Sequence, residues 1–183
     1  MKIMGISGLP GSGKDTISTT ARKKGAIVVN MGDRVREEAT KRNEDSRITA
    51  VKLREEQGKY VVAKLTIKKI KEIIESTEDL SAKLIVVEGI RSPYEVNMFK
   101  ENFDDFKILS VFTSTNVRFE RLKLRKRKDD SDKFEIFQKR DQNELNFGIG
   151  TVIATSDYLI VNESTLESYE QEDDKFFDNI IKS

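Results

Sequence analysis

The segment Gly8-Leu9-Pro10-Gly11-Ser12-Gly13-Lys14-Asp15-Thr16 stands between a short apolar run, Ile3 to Ser7, and a stretch of helical period, Ile17 to Lys24. No other feature restricts the fold as tightly. The pattern G-x-x-x-x-G-K between a strand and a helix is a loop whose glycines admit backbone angles that other residues resist, so that consecutive N–H groups turn inward on an anion. The start of the following helix adds its positive end, and Lys14 reaches the outer phosphates. An ordinary Gly-rich turn is the alternative, and the strand-loop-helix context favours phosphate. One position departs from the usual pattern. Asp15 follows the lysine where Ser or Thr normally holds Mg²⁺, and Thr16 comes next. Either Asp15 reaches the ion through water or Thr16 meets the α-phosphate, and a carboxylate there repels phosphates unless Mg²⁺ or an arginine lies between.

Further short runs rich in Ile and Val follow at Ala26 to Asn30, Leu84 to Val87, Ile108 to Phe112 and Tyr158 to Val161, as expected of strands buried on both faces. Their alternation with helical segments predicts an α/β chain: a three-layer P-loop NTPase fold, a five-stranded parallel sheet with helices on both faces. The gap between the second and third runs is about twice the others, and Arg34 to Arg42, Arg47 to Gln57 and Tyr60 to Glu75 read as helices within it. A helical insert over 32–82 is expected. The charged stretch Lys126 to Phe147, with Phe134, Ile136, Phe137, Leu145 and Phe147 as anchors, predicts a mobile helical lid over 126–147 or a solvated helix pair. A single domain, 1–183, then has its core in 1–31, 83–125 and 148–183. The acidic stretch Glu163 to Asp178 interleaves Leu166, Tyr169, Phe176 and Phe177 and reads as a terminal amphipathic helix.

Composition narrows the chemistry. With no Cys and no His there is no disulfide, thiol nucleophile, imidazole base or zinc site of the kinds those ligands build. What remains is carboxylate, guanidinium, ammonium and backbone-amide chemistry. Lys and Arg number 33 against 32 Asp and Glu, a formal charge of +1, which argues against a nucleic-acid partner. No apolar run is long enough to cross a bilayer, so no membrane partner and a cytoplasmic location are expected; nothing in the sequence sets an oligomeric state.

Five other segments carry candidate site residues. After the second strand, Gly32-Asp33-Arg34-Val35-Arg36 reads on its own as an N-cap, Asp33, with a first-turn arginine, Arg36. Leu84-Ile85-Val86-Val87-Glu88-Gly89-Ile90-Arg91 places a carboxylate at a strand end beside the phosphates, or is a strand-end turn before a helix starting at Pro93. In Arg118-Phe119-Glu120-Arg121-Leu122-Lys123-Leu124-Arg125-Lys126-Arg127-Lys128, Arg121 and Arg125 share a helix face; such a run is otherwise a solvated face or a nucleic-acid patch. Arg140-Asp141-Gln142-Asn143-Glu144 lies inside the expected lid, and Ser156 to Asn162 ends the last strand, with Asn162 otherwise a turn residue.

In this order the segments resemble the nucleoside monophosphate kinases, adenylate kinase above all; the last strand is similar to that of dephospho-coenzyme A kinases. The whole chain looks closest to archaeal adenylate-kinase-related proteins. The resemblance implies an ATP donor with Mg²⁺ and an AMP-like acceptor. The donor would be held by Gly8, Pro10, Gly11, Ser12, Gly13, Lys14, Asp15 and Thr16, with Asn162 at the purine. The acceptor falls to Gly32, Asp33, Arg36, Glu88, Gly89 and Arg91, and Mg²⁺ to Asp15, Thr16 and Glu88, partly through water. Lys14, Arg91, Arg121, Arg125 and Arg140 would neutralise the transferring group. A hydroxyl acceptor, as in dephospho-coenzyme A, needs a base, for which Asp33 is best placed. A nucleotide-binding switch or slow NTPase is the reading from another class.

Overall fold

Strand-forming runs without a polar face call for cover on both sides; Ile3 to Ser7 and Leu84 to Val87 are buried as expected, whereas in Tyr158 to Val161, at the sheet edge, only Ile160 is buried. The computed structural model of the chain describes residues 1–76, 83–127 and 130–182. The end of the expected insert at 77–82, Lys128 of the basic run and the terminal Ser183 lie outside the described residues. Among the described residues, β1 (Lys2–Ser7), β2 (Ile27–Asn30), β3 (Leu84–Glu88), β4 (Phe106–Phe112) and β5 (Tyr158–Val161) form one parallel sheet in the order β2-β3-β1-β4-β5. The helices are α1 (Lys14–Lys23), α2 (Met31–Arg42), α3 (Ser46–Gln57), α4 (Val61–Ser76), α5 (Pro93–Asn102), α6 (Thr115–Arg125), α7 (Phe134–Phe147), α8 (Ile149–Ala154) and α9 (Leu166–Lys182).

The two faces of the sheet carry separate apolar layers. Ile3, Ile85, Val87 and Ile108 pack on one side with residues of α2, α3, α4, α5 and α8. Met4, Ile6, Val86, Leu109 and Ile160 pack on the other with Ile17 and Ala21 of α1 and with Tyr169 and Phe177 of α9. This is the expected three-layer α/β architecture, with β1 at its centre. Gly5 is needed there for space: a Cβ would stand 2.3 Å from Ile90 Cδ1 and 2.7 Å from Ile108 Cδ1.

Because the strands are parallel, their C-terminal ends gather at one edge. Ile6 pairs with Glu88, Asn30 with Glu88 and Ser7 with Ser110. The phosphate loop, the Glu88–Arg91 turn and the start of α2 therefore meet at that edge. Two boundaries moved in ways that matter. Helix α1 begins at Lys14 rather than Ile17, which puts Lys14, Asp15 and Thr16 in its first turn. Helix α2 begins at Met31, with Asn30 as its cap: the Asn30 side chain accepts from Gly32 N at 2.8 Å, so Asp33 is a first-turn acid and not the N-cap. Helix α5 starts at Pro93 as read, closed by a Ser92–Glu95 capping box. No helix among the described residues is long and apolar enough to cross a membrane.

On α9 a polar group sits in the wrong place. Asp173 is fully buried, and both its carboxylate oxygens lack a hydrogen-bond partner. Burial, with Glu172, Asp174 and Glu170 adding like charge, pushes its carboxyl up to about 7. Between pH 4 and 7 the unfolded chain then gives up a proton that the folded chain keeps, so stability falls as pH rises through this window and stays reduced above it. Asp173→Asn removes the ionisation; it should raise the melting temperature at pH 8 by roughly 5 °C and by much less at pH 4.5, measured by calorimetry.

Candidate functional site

The phosphate loop is defined by where its carbonyls go. Lys14 Nζ donates to Gly8 O at 2.6 Å and Leu9 O at 3.0 Å, and Arg118 Nη1 donates to Pro10 O at 3.1 Å. The Asn162 side-chain amide reaches Ser12 O at 2.9 Å, with the Thr113 hydroxyl 3.1 Å from the same oxygen, and Tyr169 OH donates to Gly13 O at 3.2 Å. These bonds, with Ser12 N donating to Leu9 O at 3.1 Å, fix the carbonyls of the loop, and a loop so held can offer its remaining N–H groups to an anion. Gly13 cannot be replaced: its φ of 102° is left-handed, and a Cβ there would lie 2.3 Å from Asn162 Nδ2. Burial lowers the Lys14 ammonium to about 8 against the pull of Glu88 and Asp15, with Arg91 also lowering it.

The side chain that ties this loop to the rest is Arg118, 2% exposed. Its Nε donates to Thr113 O at 3.1 Å, and Nη1 and Nη2 clasp Asp141 of α7 at 2.8 and 2.5 Å. Sequence reading gave no role to Arg118 or Asp141, although both stood in segments it had singled out. The missed signal was a basic run and an acid in the same charged region, which spacing alone cannot pair.

The expected lid is held down. Asp141 docks α7 on Arg118, Glu144 accepts from Arg91 Nη1 at 3.1 Å, and Phe134 and Phe137 pack on Phe119 with ring centroids 5.1 and 5.3 Å away. Of the expected anchors only Phe137 is buried; Ile136, Leu145 and Phe147 are exposed, because one contact face suffices once the ion pair fixes the helix.

The proposed lid arginines do converge, on a residue the sequence did not mark. Asp130 accepts from Arg125 Nε and Nη2 at 2.8 and 2.7 Å, from Arg127 N at 3.0 Å and from Arg140 Nη1 at 3.0 Å. The Arg125 bonds above all hold its carboxyl well below the usual carboxylate range. Arg121 parts company with Arg125: its Nη2 donates to Asn162 Oδ1 at 3.2 Å. Asn162 is thus engaged at both ends of its amide and 4% exposed, a brace beneath the loop in place of the purine contact expected of it.

On the opposite side, Asp33 pairs with Arg36 through Arg36 Nε at 3.0 Å and also through Nη2. That leaves the expected base occupied. Arg91 stands one residue past Ile90, whose carbonyl accepts from Ser7 Oγ at 3.0 Å, so it is fixed beside the loop. Glu88 accepts from Ser18 Oγ at 3.0 Å, one helical turn beyond Lys14. Asp15 is exposed and bridged by Arg127 Nη2 at 2.7 Å, so an arginine stands against this carboxylate. Among the described residues no three acidic groups cluster as a metal cage.

A family model described as AAA domain matches residues 7–138. A UPF0200 protein of Methanothermobacter thermautotrophicus is 48% identical over 166 residues, covering 91% of this chain and 84% of the relative. Another UPF0200 protein, from Pyrococcus furiosus, is 44% identical over 168 residues, 88% of each chain. Among solved structures, TT1252 from Thermus thermophilus superposes with a TM-score of 0.70 at 18% identity over 97% of both chains. Shikimate kinase from Bacteroides thetaiotaomicron gives 0.57 at 15% identity, covering 100% of this chain and 99% of that one. At such identities these structures speak to the fold, which is that of P-loop kinases.

The Arg118–Asp141 pair supplies a test of the site's construction. Asp141→Asn should destabilise the fold by about 3 kcal/mol in urea unfolding, because it leaves a buried guanidinium uncompensated. A well-exposed pair, Lys69–Glu72, should give less than about 1 kcal/mol on Glu72→Gln.

Proposed function

Since the chain belongs to the UPF0200 family and to the AAA domain family, and has a P-loop kinase fold, we propose that it is a small-molecule kinase. The reaction is transfer of the γ-phosphoryl group of ATP to a nucleoside monophosphate such as AMP. One observation carries this reading: Lys14 of the loop has Arg91 near enough to act on its charge on one side and, on the other, Asp15 bridged by Arg127, with Arg125 and Arg140 gathered on Asp130 and Arg36 in the first turns of α2. Two anions facing each other across such a loop is what phosphoryl transfer between two phosphates requires.

The chain's own groups would divide the work. The loop amides and Lys14 hold the donor's outer phosphates, Arg91 and Arg36 orient the acceptor phosphate in line, and the α6–α7 arginines neutralise charge spreading over the transferred group. Each arginine must leave its carboxylate to do so: Glu144 releases Arg91, Asp33 releases Arg36 and Asp130 releases Arg125 and Arg140. A phosphate acceptor is already ionised and needs no base, which suits a chain without His whose Asp33 is paired. Oxygen donors near the loop suit a hard divalent cation: Thr16 would hold Mg²⁺ and Glu88 would do so through water. When bound, that ion would supply further neutralisation of the phosphates. The Asp15–Arg127 bridge across the loop mouth favours a second reading, a nucleotide-binding switch that turns over slowly.

Incubation with ATP, Mg²⁺ and in turn AMP, CMP, GMP, UMP and shikimate separates these readings. Formation of a nucleoside diphosphate from at least one monophosphate is expected. Tight ATP binding with no product from any acceptor would leave the switch. Lys14→Ala should weaken ATP binding at least tenfold; unchanged affinity would remove the phosphate-loop assignment. Above pH 8 the free lysine is mostly neutral, so ATP binding at pH 9 should take up a proton and be weaker than at pH 7. Calorimetry in two buffers of different ionisation heat reads this directly.

A further inference from the structure

The turn that carries Arg91 runs on into an aromatic pair for which phosphate chemistry has no use. Tyr94 lies in the first turn of α5, three residues after Arg91 and so within about 10 Å of it along the chain. Its ring meets that of Tyr60, the residue before α4, at 5.4 Å between centroids with the planes inclined by 31°. Lys59 Nζ stands 4.9 Å from the centre of the Tyr60 ring and 5.1 Å from that of Tyr94.

These rings serve neither core layer. Tyr94 is 60% exposed, and both residues stand outside the two apolar clusters. Their place is nevertheless fixed. The Ser92–Glu95 capping box holds the first turn of α5, and the Ser7–Ile90 bond ties the preceding turn to the phosphate loop. The pair therefore stands at the C-terminal edge of the sheet, beyond Arg91 as seen from the loop. Lys59 stands at the rings, and Arg91 and Arg54 of α3 are close enough to act on the carboxyl of Glu95, the residue after Tyr94. A planar π-face behind an arginine, on the acceptor side of a phosphate loop, matches a molecule with an aromatic ring at one end and a phosphate at the other.

We propose that Tyr94, backed by Tyr60, is the stacking platform for the heterocyclic base of the phosphoryl acceptor, with Arg91 on its phosphate. This rests on the kinase reading and deepens it. It assigns the acceptor to the nucleotides and excludes sugar phosphates and alicyclic alcohols, which have no π-face to offer. Stacking tolerates every base, so the platform selects for a base without choosing strongly among them.

Calorimetry on the full chain, with the donor site filled by a non-hydrolysable ATP analogue, compares AMP, UMP and ribose 5-phosphate. Both nucleotides should bind about tenfold more tightly than the baseless sugar phosphate. Tyr94→Leu should shrink that margin to roughly twofold or less, with ATP-analogue affinity unchanged, while Tyr94→Phe should keep it. Equal binding of AMP and ribose 5-phosphate by the wild type overturns the platform, as does a margin that survives Tyr94→Leu or failure to bind either nucleotide. The transfer assay is read separately. A base-dependent site that yields no phosphorylated product sinks the kinase reading and keeps the platform; equal turnover of AMP and ribose 5-phosphate does the reverse.

Discussion

A buried guanidinium is among the more demanding groups a fold can contain, since it carries a fixed charge and five N–H donors in one plane. Arg118 meets that demand by binding three parts of the chain at once: Thr113 at the end of β4, Pro10 in the phosphate loop and Asp141 on α7. None of these partners can move without leaving part of the charge unsolvated. The shape of the loop and the seat of α7 are therefore one structural problem with one solution. Asn162 and Tyr169 complete it from β5 and α9, so that the loop is braced from the sheet and from both neighbouring layers.

Around this fixed centre the other arginines are held more loosely, each against a carboxylate. Arg91 rests on Glu144, Arg36 on Asp33, Arg127 on Asp15, and Arg125 with Arg140 on Asp130. In this way a chain of formal charge +1 gathers arginines around one loop without a large net field. The positive charge is matched in place, so an anion would reach it by exchange with carboxylates rather than by attraction to a broad field. Several of these pairs are well exposed, where an ion pair contributes little and separates readily. Arg118 is set apart from them by its 2% exposure and by its bonds to two carbonyls besides its carboxylate.

Much of the fold was legible because short Ile- and Val-rich runs leave a plain trace, whether buried on both faces as in β1 and β3 or largely exposed as in β5, where only Ile160 is buried. The runs at Ile3, Leu84 and Tyr158 became β1, β3 and β5 with at most a residue of adjustment, and the G-x-x-x-x-G-K spacing placed the loop correctly. Helix starts were less legible. Lys14 and Met31 begin helices earlier than periodicity suggested, since a first turn need not show an apolar stripe. The short α8 was missed altogether: six residues hold too little of a helical period to register. Within the candidate site, Lys14 and Arg125 stood out by motif and charge, and Arg91 and Arg140 through the resemblance to nucleoside monophosphate kinases. Asp130 did not, because an Asp in a charged stretch looks the same whether it faces water or gathers two arginines.

The sequence by itself determined the parallel α/β sheet, the phosphate loop and a chemistry confined to amides, arginines, lysine and carboxylates, for these depend on residue type and local spacing. Only the tertiary structure decided which charges meet. Arg118 and Asp141 are separated by 23 positions, Arg91 and Glu144 by 53, and Ser12 and Asn162 by 150. Contacts across such distances are set by how helices and strands pack in three dimensions, and pairing energy falls off within a few ångströms. A pattern read along the chain therefore marks the charged residues but not their partners.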